Sequence, residues 1–119
     1  MAPGAPLTVV ETPDFVAAAR RIMDETERSS LVLYLALHPE AGDLVPGTGG
    51  VRKLRWALEG RGKRGGARVI YYFHSERIPL FALDIYAKNE RSDLGEGEKS
   101  RLKLFVKTIA HLATKKGKR

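Results

Sequence analysis

Cysteine is absent from all 119 residues, which excludes disulfides, a thiolate nucleophile and any cysteine-based metal site. Histidine is scarce as well. His38, His74 and His111 are scattered without ligand spacing, so neither a metal site nor a cofactor is expected. His38 reads as a helix terminus, His111 as a helix-surface residue and His74 as the exposed end of a strand. Long apolar runs are missing too, and no stretch approaches the ~20 residues that a membrane span needs. The opening residues, Met1 to Pro6, show no basic patch followed by an apolar run, so no signal peptide is read there. These absences lead to the expectation of a soluble, cytoplasmic chain without a membrane partner. With no repeat in evidence, a single domain over 1–119 is expected, flexible at 1–6 and 115–119.

Acidic residues are also few, but only in one part of the chain. The whole carries 21 Lys and Arg against 14 Asp and Glu, a net charge of +7 with a pI near 9.9. Residues 1–48 are net acidic at −4, whereas residues 49–74 hold seven bases and a single acid, Glu59, for a net of +6. Overall charge alone fits a solvated surface as well as a binding one. Bases concentrated in one segment are the electrostatic footprint of a polyanion.

Periodicity divides the chain into elements. Leu7–Glu11 reads as a short strand. Thr12-Pro13-Asp14 is a helix start, and Phe15, Ala18, Ala19 and Ile22 form its apolar stripe. Asp24 and Glu27 have the spacing of a capping box for a second helix ending near Leu37, before His38-Pro39. Its segment Leu31–Leu37 alternates well enough to pass for a strand, and the cap decides for helix. Beyond the loop Pro46–Gly50 the period changes to two. Val51–Leu58 places Leu54, Trp56 and Leu58 opposite Val51, Lys53 and Arg55. Ala67–His74 places Val69, Tyr71 and Phe73 opposite Arg68, Ile70, Tyr72 and His74. Ile78–Lys88 places Phe81, Leu83 and Ile85 opposite Asp84, Tyr86 and Lys88. Short connections make these runs an antiparallel meander. Glu96–Ala113 is an amphipathic helix with Leu102, Phe105, Ile109 and Leu112 as its stripe. The predicted class is α+β in the order β-α-α-β-β-β-α, a mainly antiparallel sheet with helices packed on one face.

On that arrangement the other sheet face is free and displays Lys53, Arg55, Arg68, Tyr72, Tyr86 and Lys88. Neighbouring strands lie about 5 Å apart, so these groups converge on one phosphodiester. Any one pair is more often edge protection or strand filler than function. Six on one face, beside a loop rich in Gly, Lys and Arg, favour a nucleic-acid surface. Such a face supports RNA cleavage: the 2′-hydroxyl attacks phosphorus and the cations stabilise the phosphorane oxygens. A lysine crowded by cations has a lowered pKa and serves as proton acceptor, and tyrosine stacks on a splayed base. Gly60-Arg-Gly62-Lys-Arg-Gly65 matches GxGxxG formally, but a dinucleotide fingerprint must open a helix and here a strand follows. Lys63 is followed by Arg64, not Ser or Thr, so a Walker A loop is rejected as well.

The segment Pro46–Phe73, PGTGGVRKLRWALEGRGKRGGARVIYYF, resembles the HigB branch of the RelE toxin superfamily. So do Pro39-Glu-Ala-Gly-Asp43 before it and Tyr86-Ala-Lys-Asn-Glu-Arg-Ser-Asp-Leu94 after it, and the likeness runs through residues 7–112 in order. The resemblance implies the toxin of a type II toxin–antitoxin pair, a metal-independent mRNA endoribonuclease that inhibits translation on the ribosome. Its implied partners are the ribosome, mRNA and a cognate antitoxin, expected to be a helix-turn-helix protein. Lys53, Arg55 and Arg68 stand where such toxins carry lysine or arginine, and with Lys88 they form the expected catalytic set. Arg52, Arg61, Lys63, Arg64, Tyr72 and Tyr86 are expected to bind RNA. The chain departs from the RelE pattern at Asn89 and Gly95, where RelE carries an arginine and a tyrosine. That leaves Tyr72, Tyr86, Lys88 and His74 as candidates for proton transfer. Two other readings compete: a non-catalytic inhibitor of DNA gyrase like the related ParE toxins, which share the fold and lack the cationic cleavage set, and a module whose basic face only binds nucleic acid.

Overall fold

A computed structural model describes residues 6–58, 66–91 and 93–117. The chain opens on strand β1 (Val9–Glu11) and turns directly into helix α1 (Pro13–Ile22). Thr12 makes that turn. Its hydroxyl oxygen accepts from the Phe15 N–H at 3.3 Å and its hydroxyl donates to the Ala82 carbonyl at 2.9 Å, so the N-cap also ties the helix to the sheet. Phe15, Ala18, Ala19 and Ile22 are all buried, as their spacing predicts. Helix α2 (Glu25–Leu37) is capped by Asp24, which accepts from the Glu27 N–H at 2.8 Å. The ambiguous Leu31–Leu37 segment is therefore helical. It buries Leu31, Leu35 and Ala36 and exposes Leu33 and Tyr34.

Four more strands follow: β2 (Asp43–Leu44), β3 (Val51–Trp56), β4 (Ala67–Tyr72) and β5 (Leu80–Ala87), then the long helix α3 (Glu96–Gly117). The sheet order is β1-β5-β4-β3-β2, with β1 parallel to β5 and the other pairs antiparallel. Sequence periodicity missed β2 because two residues carry no period. Tertiary contacts create it. The Tyr71 hydroxyl accepts from the Gly42 N–H at 2.8 Å and donates to the Pro39 carbonyl at 2.9 Å. A Cβ on Gly42 would press on that ring and on the Lys53 carbonyl, each at 3.0 Å, so the turn into β2 needs glycine. Beyond it, buried Thr48 donates to the Val45 carbonyl at 2.7 Å and accepts from the Val51 N–H at 3.1 Å, closing the β2–β3 turn.

Two expectations need correction. The helices do not share one face. Helices α1 and α2 pack on Leu54, Val69, Tyr71, Ala82 and Ile85, whereas α3 packs on the opposite face against Val51, Ile70, Tyr72 and Leu83. The physical reason is that this second face is apolar at one end, and the stripe Leu102, Phe105, Val106 and Ile109 covers it. Nor does β5 alternate strictly. Ile70 pairs with Asp84 but Tyr71 pairs with Ala82, so Leu83 is an extra residue in a β-bulge. Phe81 and Leu83 therefore join the α3 side, and Ile85 joins the α1 side.

Candidate functional site

The strand register builds the cationic face in three rows. Arg55, Arg68 and Tyr86 are direct cross-strand neighbours on β3, β4 and β5. Lys53, Ile70 and Asp84 form the next row, and Val51, Tyr72 and Phe81 the third. The third row lies under α3, where Phe81 meets Phe105 edge-on at 5.8 Å between ring centroids. The cationic face is thus one end of the sheet, not the whole of it.

Within that end, sequence parity placed Lys53, Arg55, Arg68 and Tyr86 correctly. It misjudged their accessibility. Arg55 is exposed, but Arg68 is only 8% exposed and Tyr86 5%. Tyr72, expected on a free face, is buried in the α3 core and its pKa is raised by desolvation. Arg52 points to the α1–α2 side, where its guanidinium donates to the carbonyls of Gly42 at 2.7 Å and Glu40 at 3.2 Å. It braces the turn before β2. Lys88 follows the last residue of β5, and its N–H donates to the Gly66 carbonyl at 2.9 Å. His74 is exposed, with its ring 6.2 Å from that of Tyr72. Arg61, Lys63 and Arg64 lie outside the described residues. The strand β4 follows their segment, as the rejection of a dinucleotide loop requires.

The structure adds residues that sequence reasoning passed over. Arg91 lies with its guanidinium carbon 4.3 Å from the Tyr86 ring centroid, a cation–π contact. The same guanidinium pairs with Asp84 at 3.0 Å and Glu98 at 3.2 Å, linking β5 to the first turn of α3. Asp93 pairs with Lys53 at 3.1 Å and accepts from the Leu94 N–H at 2.8 Å. That N–H and the Lys53 ammonium hold the Asp93 carboxyl below its ordinary pKa. Burial raises the Tyr86 pKa, Asp93 and Glu98 add to the rise, and Arg91 and Arg68 oppose it. The available signal was the acid-rich run Glu90–Glu98, four carboxylates around the single base Arg91, just after the last strand. A groove of about 740 Å³ between α1 and α3 runs along β5 to this cluster, with Asp14, Arg21, Tyr86, Arg91 and Arg101 on its walls. Among the described residues, no group of three His, Asp or Glu side chains is gathered to hold a metal ion.

This architecture is that of the RelE-like α+β domains. It matches a solved structure of a mutant of the E. coli toxin RelE in the free state, with a TM-score of 0.51. The match is 16% identical and covers 73% of this chain and 88% of that one. The model of the family described as the RelE toxin of the RelE/RelB toxin–antitoxin system matches residues 40–118, and the chain belongs to that family. Membership implies a cognate antitoxin as partner. Among the described residues, no helix is long and apolar enough to cross a membrane.

Proposed function

We propose that this RelE-family toxin is a ribosome-dependent mRNA endoribonuclease of the HigB type, acting in the cytoplasm without a metal ion. The observation that carries the reading is the row Arg55–Arg68–Tyr86 with Lys53 one row away: three cations and a phenol on three adjacent strands. The substrate's 2′-hydroxyl attacks the adjacent phosphorus, and the 5′-oxygen of the next nucleotide leaves. Arg55 and Arg68 stabilise the charge that builds on the phosphorane oxygens. Burial holds Arg68 in place before the substrate arrives, so little reorganisation accompanies the reaction. Lys53 and Tyr86 in the cluster, and Lys88 one residue past the end of β5, are the groups assigned to exchange protons with the attacking and leaving oxygens. The basic segment with Arg61, Lys63 and Arg64 supplies affinity for ribosomal RNA backbone. A helix-turn-helix antitoxin encoded alongside silences the chain until it is released.

The test is to add the purified chain to a translation reaction and map mRNA 5′ ends. Cuts in ribosome-bound messages are expected from the wild type, reduced at least about 100-fold in Arg68→Gln, on the scale of losing one transition-state donor. Gln is preferred to Ala because the buried position needs filling. A binding-only module leaves every message intact, and inhibition of DNA supercoiling with intact message would assign the chain to gyrase instead.

A further inference from the structure

Two features of the cationic face have no part in that scheme. The Lys53 ammonium is already paired. Asp93, 40 residues away in sequence, places Oδ1 3.1 Å from Nζ, and the same oxygen is fixed by the Leu94 N–H at 2.8 Å. The Tyr86 hydroxyl is the opposite case. It is buried and has no hydrogen-bond partner among the described residues, although Arg68, Arg91, Asp93 and Glu98 all influence its ionisation.

A carboxylate oxygen on a lysine has the charge and hydrogen-bonding capacity of a non-bridging phosphodiester oxygen. A group that accepts from Lys53 therefore occupies the place where the RNA backbone must bind. The Asp93 carboxylate serves Lys53 but leaves the neighbouring phenol without an acceptor. A phosphodiester offers several oxygens and can serve both.

We propose that Asp93 is an internal stand-in for the substrate phosphate: it holds Lys53 in the free toxin, and RNA displaces it, giving the Tyr86 hydroxyl its acceptor in the same step. The inference rests on the proposed function only in that Lys53, as a member of the cationic cluster, meets the RNA phosphodiester. The exchange swaps one singly charged anion for another, so Lys53 is paired both before and after. The consequence is weakened affinity for any free RNA, because each incoming phosphate must first compete with a carboxylate tethered beside it. Lys53 is 30% exposed and Asp93 56%, so the pair sits at the surface, where an incoming strand reaches it without unfolding the core.

The experiment titrates the full chain, without ribosomes, with a short RNA whose 2′-hydroxyls are replaced by hydrogen so that it cannot be cut. Asp93→Asn keeps an acceptor for the Leu94 N–H and removes the charge. It should bind about two- to fivefold tighter than the wild type, the worth of one largely exposed ion pair. In a Lys53→Met background the same substitution should change affinity by a factor near one. Unchanged or weaker binding by Asp93→Asn overturns the proposal. So does equal tightening in both backgrounds, which would mark a general loss of negative charge. If Asp93→Asn fails to fold, Asp93→Ser carries the same comparison. Because no cleavage is read, a toxin that cuts no message would remove the nuclease reading and leave this ratio standing or falling by itself.

Discussion

Replacing Tyr86 with phenylalanine should make the protein more stable and less active. Tyr86 is 5% exposed and its hydroxyl meets no acceptor or donor among the described residues. A buried hydroxyl without a partner costs about 1–3 kcal/mol relative to an apolar group of the same shape. Phenylalanine keeps the ring beneath Arg91, at the 4.3 Å separation of the cation–π contact, and loses at most about 0.5 kcal/mol of it. The net expectation is a gain of about 1–2 kcal/mol, or roughly 4–8 °C in Tm for a domain of this size. Urea denaturation measures the gain as a rise in midpoint at constant m-value. Tyr72→Phe is the control, because Tyr72 is as deeply buried at 4% and its hydroxyl is not stranded. It should show no comparable gain. Cleavage of ribosome-bound mRNA by Tyr86→Phe should fall over the same range of conditions. A lowered midpoint in Tyr86→Phe would refute the reasoning, since it would mean that the hydroxyl already has a partner. An unchanged midpoint would assign that partner to solvent.

Gly66 precedes β4 at φ +56°, and a Cβ there would run into the Trp56 carbonyl, so Gly66→Ala should destabilise by about 2–4 kcal/mol in urea denaturation. A loss under about 1 kcal/mol would show that β3 and β4 separate easily at that end. Burial raises the pKa of Tyr71, Tyr72 and Tyr86 above 10.0 in the folded chain, so the unfolded chain releases these protons first. Their contribution to stability is therefore constant below about pH 10 and declines as pH rises past it. Phenolate absorbance should appear at higher pH in the native chain than in urea, and superimposed curves would contradict the burial.

The local signals in the sequence were reliable wherever a capping residue or a period governed the backbone. Thr12 and Asp24 each form the cap that their position predicts, and the parity of β3 and β4 is correct at every residue. What was not legible depended on contacts distant in sequence. Strand β2 depends on Tyr71 and Thr48, and the β5 bulge depends on how Leu83 fits beneath α3. The placement of α3 had a visible clue. Val51 and Ile70 share the parity of Lys53 and Arg68, and a face carrying both kinds of residue cannot be wholly free.

That mixed face also explains why the site is compact. Helix α3 needs apolar residues beneath it, and these occupy the row Val51–Tyr72–Phe81. The cations are therefore confined to the opposite end, in two rows instead of three. Confinement brings Arg55 and Arg68 side by side with like charges, an unfavourable arrangement unless anions are near. The neighbouring cations of this end are paired with carboxylates from β5, the connection and α3: Asp84 and Glu98 hold Arg91 over Tyr86, and Asp93 holds Lys53. Removing all three carboxylates at once should therefore destabilise the free toxin more than its RNA-bound form, because a phosphate backbone supplies to the bound form the negative charge that the free form has lost. A variant in which Asp84, Asp93 and Glu98 are all amides should accordingly show a larger rise in Tm on adding uncleavable RNA than the wild type does. An equal rise would mean that the acids serve only to anchor α3, and that the cationic rows tolerate one another unaided.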